Sequence, residues 1–364
     1  MLLFELIQVS IGRRKILSRI PSESEWNQIF KDCCNQAITG LTFIGIQRLP
    51  PKQWPSKSIL FQWIALVEQI KLRNKLLNNR CLELQQMFAD GGFRTCILKG
   101  QGNALMYNEP LCRQSGDIDI WVVPNFSCSN LKIKPVIEFL KTKCDMGRST
   151  IAYHHVDFPL WEDAEIEVHW RPSWRSSIHY NLRLQKWFIY KSESQFGHID
   201  EKTGFHVPTW EFNVVYLLQH MFLHIFQEGL GLRQIVDYYY LLISDERGEL
   251  ENVRKELKFL GLWEFAEAVM YVLREIFLMD TQYMIATIDE ERGKFLLDEI
   301  LKSGNFGQYD KRNALLHQQR GFRRSMARVS RQLRFIYDYP HETLCAPFQV
   351  YHVIWRKLQL WRWE

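Results

Sequence analysis

The stretch LKGQGNALMYNEPLCRQSGDIDIWVV, residues 98–123, decides the fold expected for this chain. It begins at the end of the apolar run FRTCIL and closes in DIDIWVV, where polar and apolar residues alternate strictly at first. Such alternation is typical of a strand whose two faces meet different surroundings. The pattern therefore predicts two strands, with a glycine turn and a helical turn between them.

The sequence on both sides of this stretch has a helical pattern. Apolar residues recur at helical spacing before Gly91 and Gly92, and helical patterns return after Pro208. The segments AYHHVDFPLW and AEIEVHW are two further predicted strands. We expect an N-terminal helical segment at 1–90, an α/β core at 91–205 and a C-terminal helical domain at 206–364.

The composition excludes several classes of protein. The net charge of +5 is too small, on 364 residues, to indicate nucleic-acid binding by itself. The eight cysteines contain no CxxC pair, which argues against zinc-ribbon and thioredoxin-like sites and favours reduced thiols. The N-terminus has an acidic residue, Glu5, early in its apolar run, so we expect no signal peptide. No apolar run approaches the about 20 residues that span a bilayer. We expect a cytoplasmic protein without a membrane span.

Asp117 and Asp119 place two like charges in an apolar strand. Side chains of a strand alternate between its faces, so these carboxylates point to the same side while Ile118 and Ile120 point to the other. Two neighbouring carboxylates raise each other's pKa. A divalent cation between them removes this cost, and hard cations such as Mg²⁺ prefer carboxylate oxygens.

The run EIEVHW repeats this pattern about fifty residues later. Glu165, Glu167 and His169 share one face of the predicted strand. Pairing with the DIDIWVV strand would add a third carboxylate to the same metal, as in two-metal phosphoryl-transfer sites. We prefer Glu167 for this role because its neighbours are apolar, while Glu165 remains a competitor.

Together these motifs carry a family resemblance. The KG after a strand, the arginine before GDIDIWV and the later EIEVHW resemble the nucleotidyltransferase superfamily that includes DNA polymerase β, and most closely a bacterial family of largely uncharacterised nucleotidyltransferases. The resemblance is good over 93–172 and weaker over the helical segment that follows. It implies an α+β fold, with a small mixed β-sheet core flanked by N- and C-terminal helical segments.

The resemblance also implies a reaction and its residues. An acceptor hydroxyl would attack the α-phosphate of an NTP such as ATP, with pyrophosphate leaving. The implied carboxylate ligands of Mg²⁺ or Mn²⁺ are Asp117, Asp119 and Glu167. The implied nucleotide-binding residues are Lys99, Gly100, Arg113 and Gly116. The acceptor is unidentified; we favour a small molecule or a protein over RNA, and nucleic acid is not the favoured partner.

Several further residues are secondary candidates. His169 shares the face of the carboxylates, although a hydrogen-bonded structural role is slightly favoured. His154 and His155 are adjacent on a predicted strand, so at most one is expected to face the site. His220 and His224 lie at i, i+4 spacing on a predicted helix, where a packing or substrate-side role is favoured over zinc binding. Arg233 and Asp237 have the same spacing and most simply form a helical ion pair.

Two other functions remain open. One is a catalytically inactive nucleotidyltransferase-fold protein that binds a nucleotide or a partner. The other is a helical scaffold that acts through the segment 311–334, which holds eight Lys and Arg residues and no acid. Four of its arginines, Arg320, Arg324, Arg328 and Arg331, recur at helical spacing, and a solvated basic helix is favoured over a polyanion-binding face.

Overall fold

The computed structural model describes residues 1–125, 133–147, 149–313 and 329–345. The strands are β1 (Phe93–Ile97), β2 (Ile118–Pro124), β3 (His155–Asp157) and β4 (Ile166–His169). The helices that precede or interrupt them are α1 (Leu2–Ser10), α2 (Glu23–Asn35), α3 (Thr39–Arg48), α4 (Lys57–Asp90), α5 (Gly100–Ala104) and α6 (Ile133–Lys141). The predicted α+β fold, a small mixed sheet with helical segments N-terminal and C-terminal to it in the sequence, is confirmed.

Further helices follow the sheet in the described residues. They are α7 (Ile178–Gly197), α8 (Trp210–Gln227), α9 (Leu232–Ile243), α10 (Leu250–Phe259), α11 (Trp263–Phe277), α12 (Glu290–Ser303) and α13 (Pro340–Cys345). Short 3₁₀ helices occur at Pro51–Gln53, Pro110–Cys112, Thr281–Tyr283, Asn305–Gly307 and Lys311–Asn313. No helix of the described residues is long and apolar enough to cross a membrane.

The ends of several helices follow from local chemistry. At the start of α2 the Ser22 hydroxyl accepts a hydrogen bond from the Glu25 N–H at 3.3 Å, and the Ser22 N–H donates to the Glu25 carboxylate at 2.9 Å. This reciprocal capping box satisfies two N–H groups that the first turn leaves without helical partners. The long helix α4 ends at Asp90, before Gly92 adopts a positive φ of 79°, as the paired glycines predicted.

Contacts divide the chain into two compact units. The first contains Met1–Lys75, Met106–Ser115 and the described residues of His224–Arg331. The second contains Leu76–Leu105, Gly116–Leu223 and the described residues from Gln332 onward. The division into three domains at 1–90, 91–205 and 206–364 stays a prediction.

The first unit is helical and closely packed. Trp63 packs edge-on against Trp26, with ring centroids 6.2 Å apart, and donates a hydrogen bond from Nε1 to the Thr39 carbonyl. A Cβ added at Gly40 would lie 2.0 Å from the Cys112 carbonyl oxygen. Only glycine therefore allows α3 to approach the main chain this closely.

The second unit contains the sheet, with strand order β1-β2-β4-β3. β1 is antiparallel to β2, β2 is parallel to β4, and β3 is antiparallel to β4. The sheet is therefore mixed. The predicted pairing of the DIDIWVV strand with the EIEVHW strand is confirmed, and Asp119 lies opposite Glu167 in the register.

The two faces of β2 are covered differently. Ile118, Ile120 and Val122 belong to an apolar cluster with residues of α4, α6 and the other strands. On the opposite face, the Trp121 ring packs 4.8 Å from Phe196 and stacks 5.8 Å from Phe212, centroid to centroid. Asp119 shares this second face, so apolar packing on both sides fixes the strand that carries the carboxylate.

The described cysteines are free thiols, as the sequence predicted. Burial raises the pKa of Cys33, Cys81 and Cys96 well above that of an ordinary thiol. These thiols are protonated and belong to apolar packing, so they have no place in the chemistry of the site.

Candidate functional site

Asp119 is the centre of a buried charged cluster on the sheet. It is the second residue of β2 and is 3% exposed. One of its carboxylate oxygens accepts a hydrogen bond from Lys99 Nζ at 2.7 Å and lies 2.9 Å from His169 Nε2. Two such partners offset the large cost of removing a carboxylate from water.

The turn after β1 brings Lys99 to this carboxylate. The Leu98 N–H donates to the Asp119 carbonyl at 2.9 Å, which extends the pairing of β1 with β2 by one residue. Gly100 then adopts a φ of 47°, and a Cβ there would lie 3.3 Å from the Asp117 carbonyl oxygen. A glycine is favoured because both the positive φ and the close approach disfavour a side chain. The Lys99 ammonium is paired with Asp119 and is not a solvated strand-end charge.

Glu167 lies beside the same cluster on β4. One of its carboxylate oxygens is 3.3 Å from His169 Nε2 and 3.3 Å from His155 Nδ1. Burial would raise the pKa of Glu167, but the hydrogen bond from His169 and the charges of His169 and His155 together outweigh it, and the net direction is down. His169 thus bridges the carboxylates of the two parallel strands.

The two aspartates differ in their electrostatics. The charge of Asp119, together with burial, raises the pKa of Asp117 to about 6 against the opposing effect of Lys99. Burial would raise the pKa of Asp119 as well, but Lys99 and His169 outweigh it and hold that pKa below its usual value. Asp119 is therefore the fixed charge and Asp117 the one that titrates near neutrality.

Both cations of the cluster are held in their charged form. Burial lowers the pKa of Lys99, but the charges of Asp119, Asp117 and Glu167 act together against it, and the net direction of the pKa is up. Burial likewise opposes the charge of His169, whereas its bonds to Asp119 and Glu167 raise the pKa to about 9. At neutral pH three carboxylates therefore face two cations, and the negative charge is in excess.

This donor set fits a divalent cation. One ligand atom from each of Asp119, Glu167 and His169 lies within 4.8 Å of the others. Asp117 belongs to none of the three groups of this kind found among the described residues, although the charge of Asp119 acts on it strongly. Carboxylate oxygens with excess negative charge are what Mg²⁺ and Mn²⁺ require.

Glu165 and Gly116 are both exposed at this end of the sheet. The main-chain carbonyl of Glu165 accepts a hydrogen bond from the Ile118 N–H at 2.9 Å, which joins β4 to β2. Its side chain is in none of the candidate metal groups of the described residues, whereas Glu167 is in two of them. This geometry favours Glu167 over Glu165 as the third carboxylate.

The expectation that at most one of His154 and His155 faces the site is wrong. His155 Nδ1 lies 3.1 Å from His154 Nε2, and both rings lie within 5.5 Å of the His169 ring, centroid to centroid. The reason is that β3 begins only at His155, after a bend at residues 153–154. Strand alternation therefore does not apply to His154.

Arg113 and Asp237 pair with each other in the first compact unit. Arg113 donates from Nε and Nη2 to the two Asp237 oxygens at 2.8 and 2.7 Å, and the Tyr107 hydroxyl donates to the same carboxylate at 2.6 Å. Both members of the pair are 5% exposed. Arg233 donates to the Gln114 carbonyl at 3.0 Å. These contacts give the residues a structural role, and a contact of Arg113 with nucleotide stays a prediction.

The two histidines of α8 have separate surroundings. The His220 ring lies 6.2 Å from the Tyr216 ring, and His224 Nδ1 lies 3.5 Å from the Glu228 carboxylate. Neither belongs to a candidate metal group of the described residues. Within the described residues, no third ligand therefore joins His220 and His224 to form a zinc site.

Tyr216 is a neighbour of the charged cluster that the sequence did not reveal. It is fully buried on α8, and its hydroxyl has no hydrogen-bond partner among the described residues. Burial, opposed by the Lys99 charge, raises its pKa well above the usual value. A buried hydroxyl without a partner is costly, so it is a candidate for contact with a substrate. In the sequence, only its hydroxyl group distinguishes Tyr216 from the apolar residues beside it in the predicted helix.

Most of the predicted basic helix, residues 314–328, lies outside the described residues, and so does the segment 346–364. Arg331 is described and fully buried, and its guanidinium donates to the Ile225 carbonyl at 2.8 Å. Arg331 therefore does not belong to a solvated basic face, which corrects the expectation for this residue.

A protein-family model described as "Uncharacterised nucleotidyltransferase" matches residues 22–278, more than two thirds of the chain. The chain belongs to this family. No curated protein and no solved structure matches it.

Proposed function

We propose that this member of the uncharacterised nucleotidyltransferase family is a metal-dependent enzyme that transfers an NMP group from an NTP to an acceptor hydroxyl. Asp117, Asp119 and Glu167 would hold Mg²⁺ or Mn²⁺. The observation that carries the proposal is the parallel pairing of β2 with β4, which aligns Asp119 with Glu167 and leaves Asp117 next to them with a raised pKa.

In the proposed reaction the hydroxyl oxygen forms a bond to the α-phosphorus of the NTP. The bond from that phosphorus to the bridging oxygen of the β-phosphate breaks, and pyrophosphate leaves. Glu167, half-buried beside the acid cluster, would accept the hydroxyl proton. The bound cation would neutralise phosphate charge and lower the pKa of the attacking hydroxyl.

Lys99 and the glycine turn would serve the phosphates. The Lys99 ammonium is only 2.7 Å from Asp119, so a cation at that carboxylate would release it toward phosphate oxygens. Gly100 is buried and turns the main chain through a positive φ of 47°, and Gly116 is exposed next to Asp117. Both glycines remain proposed nucleotide contacts.

A cytoplasmic location is also proposed, because the cysteine pattern is that of reduced thiols.

The acceptor is proposed from chemistry that the sequence shows. A net charge of +5 on 364 residues gives little of the basic surface that a long polyanion requires. We therefore rank a small molecule or a protein hydroxyl above an RNA end.

The test is transfer of label from NTP. The purified protein is incubated with each α-labelled NTP, Mg²⁺ or Mn²⁺ and a cell lysate as the source of acceptor, while labelled product and pyrophosphate are followed. The Asp117→Ala/Asp119→Ala double variant is the control. Label transfer by the wild type alone supports the proposal, and equal signals from both proteins would overturn it.

A second candidate function is a catalytically inactive protein that binds a nucleotide. It is favoured by one observation: Lys99 and His169 both pair with the Asp119 carboxylate and compensate its charge. Thermal melting separates the two candidates. Stabilisation by NTP and Mg²⁺ without label transfer supports the inactive form, whereas stabilisation with transfer supports the enzyme.

A further inference from the structure

Three histidines converge next to the acid cluster. His154 and His155 precede and begin β3, and His169 ends β4. One ring nitrogen from each of the three lies within 4.8 Å of the other two. Three imidazoles so close together are the ligand type of zinc, copper, nickel and cobalt, and not the oxygen set that Mg²⁺ prefers.

The spacing of the ring nitrogens suits a single transition-metal ion. His154 Nε2 and His155 Nδ1 are 3.1 Å apart. Two nitrogens bound to one tetrahedral zinc at its usual bond length stand about 3.3 Å apart. The same 3.1 Å also fits a hydrogen bond between the two rings, so only metal binding itself distinguishes the two possibilities.

The environment of His169 supports a metal ligand. Its Nε2 bonds to the Asp119 carboxylate at 2.9 Å, while its Nδ1, on a side chain 2% exposed, has no hydrogen-bond partner among the described residues. Metal-binding histidines characteristically bond one ring nitrogen to a carboxylate and offer the other to the metal. Because the pKa of His169 is raised to about 9, metal binding here would release a proton from this ring. His155 has a similar neighbour, since its Nε2 lies 3.8 Å from the Asp157 carboxylate.

We propose that His154, His155 and His169 form a transition-metal site of the zinc class, which adjoins the carboxylate site of the proposed transferase and shares His169 with it. Three protein ligands leave one tetrahedral position for water or a substrate group. His154 and His155 are half-buried, which leaves the site accessible from solvent. This site does not depend on the proposed nucleotidyltransferase activity.

The test is Co²⁺ binding to the full chain after removal of bound metal with a chelator. Absorption in the visible range reports four-coordinate Co²⁺, and competition with Zn²⁺ gives the affinity for zinc. We expect one Co²⁺ per chain in the wild type. Binding should weaken at least tenfold in His154→Ala and His155→Ala, and Zn²⁺ should raise the melting temperature of the wild type but not of these variants.

Two control variants define the location. His179→Ala removes an exposed histidine of α7, and Asp117→Asn alters the carboxylate site without touching the three histidines. Both should bind Co²⁺ as the wild type does. His154→Gln is the second variant at the half-buried position, and circular dichroism of each metal-free variant verifies folding.

Three outcomes would overturn the proposal: unchanged Co²⁺ affinity in the folded His154 and His155 variants, equal weakening in His179→Ala, or a thiolate charge-transfer band that assigns the metal to cysteine. Loss of Co²⁺ in Asp117→Asn would also overturn it, by assigning the metal to the carboxylates. Failure of NTP transfer leaves the prediction for Co²⁺ unchanged, so the two proposals fail independently.

Discussion

Arg113 and Asp237, in one compact unit, form a buried ion pair in which one positive charge balances one negative charge. Asp119, in the other unit, lies in a cluster where carboxylates outnumber cations. The Asp237 carboxylate accepts from Nε and Nη2, on one edge of the Arg113 guanidinium, and from the Tyr107 hydroxyl. Around Asp119, Lys99 and His169 must balance three carboxylates, and the pKa of Asp117 rises to about 6 in consequence.

The difference distinguishes a structural pair from a candidate binding site. Opposite charges that balance and hydrogen-bond to each other are tolerated in the folded chain without any ligand. The burial of Arg113 and Asp237 therefore needs no function to explain it. An excess of buried like charge costs stability in the absence of a ligand, and such perturbed groups gather at functional sites. The next predictions test this comparison by changing one charge at a time.

The largest effect is expected from breaking the balanced pair. Asp237→Ala leaves the Arg113 guanidinium buried without its carboxylate, which should lower the free energy of unfolding by about 3–5 kcal/mol. Urea unfolding followed by circular dichroism measures it. Asp298→Ala, which removes an exposed i, i+4 partner of Lys302, is the control and should cost at most about 0.5 kcal/mol. Equal losses would mean that burial does not distinguish the two pairs.

A smaller but still large effect is expected at the third carboxylate. Glu167→Gln keeps the shape and removes the charge that lies opposite Asp119. We expect the rate of pyrophosphate release to fall at least about 100-fold, because a proposed metal ligand and proton acceptor are lost together. Initial rates at saturating NTP measure the effect. A rate within about twofold of wild type would remove Glu167 from the reaction.

The cluster with excess acid should respond in the opposite direction to the balanced pair. In metal-free protein, Asp117→Asn removes a like charge beside Asp119, and we expect stability to increase by about 1–2 kcal/mol at neutral pH. Urea unfolding in the presence of a chelator measures the gain. A loss similar to that of Asp237→Ala would show that Asp117 is a structural residue.

The same gain has a defined pH dependence. The folded-state pKa of Asp117, about 6, is raised above its unfolded value near 3.8, so the folded protein binds the extra proton between these values. The contribution of Asp117 to the free energy of unfolding of the wild type therefore falls as the pH rises from about 3.8 to about 6. The difference between Asp117→Asn and wild type should be complete above pH 6 and absent below the unfolded pKa. A difference that is constant with pH would contradict this account.

Much of the sheet could be predicted because its signals are local. The alternation in DIDIWVV and EIEVHW identified the strands and the face on which Asp119, Glu167 and His169 lie. The mixed topology came from the family resemblance, since alternation does not set the order or direction of strands. The pairing of Asp119 with Glu167 then followed from placing these two strands side by side.

The remaining contacts could not be predicted because they depend on distant segments or on departures from regular structure. Lys99 reaches Asp119 through a turn with a positive φ at Gly100. His154 joins His155 because a bend precedes β3. Arg113 bonds to Asp237, far away in the sequence, and the i, i+4 spacing of Asp237 with Arg233 directed attention to a nearer residue.

The smallest effect is expected at Glu165, which immediately precedes β4, in contrast to Glu167 within the strand. Glu165→Gln changes an exposed side chain whose main-chain carbonyl, not its carboxylate, bonds to β2. We expect the free energy of unfolding to change by less than about 0.5 kcal/mol, as at other exposed sites, and the rate of pyrophosphate release to stay within about twofold of wild type. It is the matched control for Glu167→Gln, because both variants make the same Glu-to-Gln change at positions two residues apart. A large loss of rate in Glu165→Gln with little loss in Glu167→Gln would exchange their roles, and equal losses would mean that charge at this end of the sheet matters more than position.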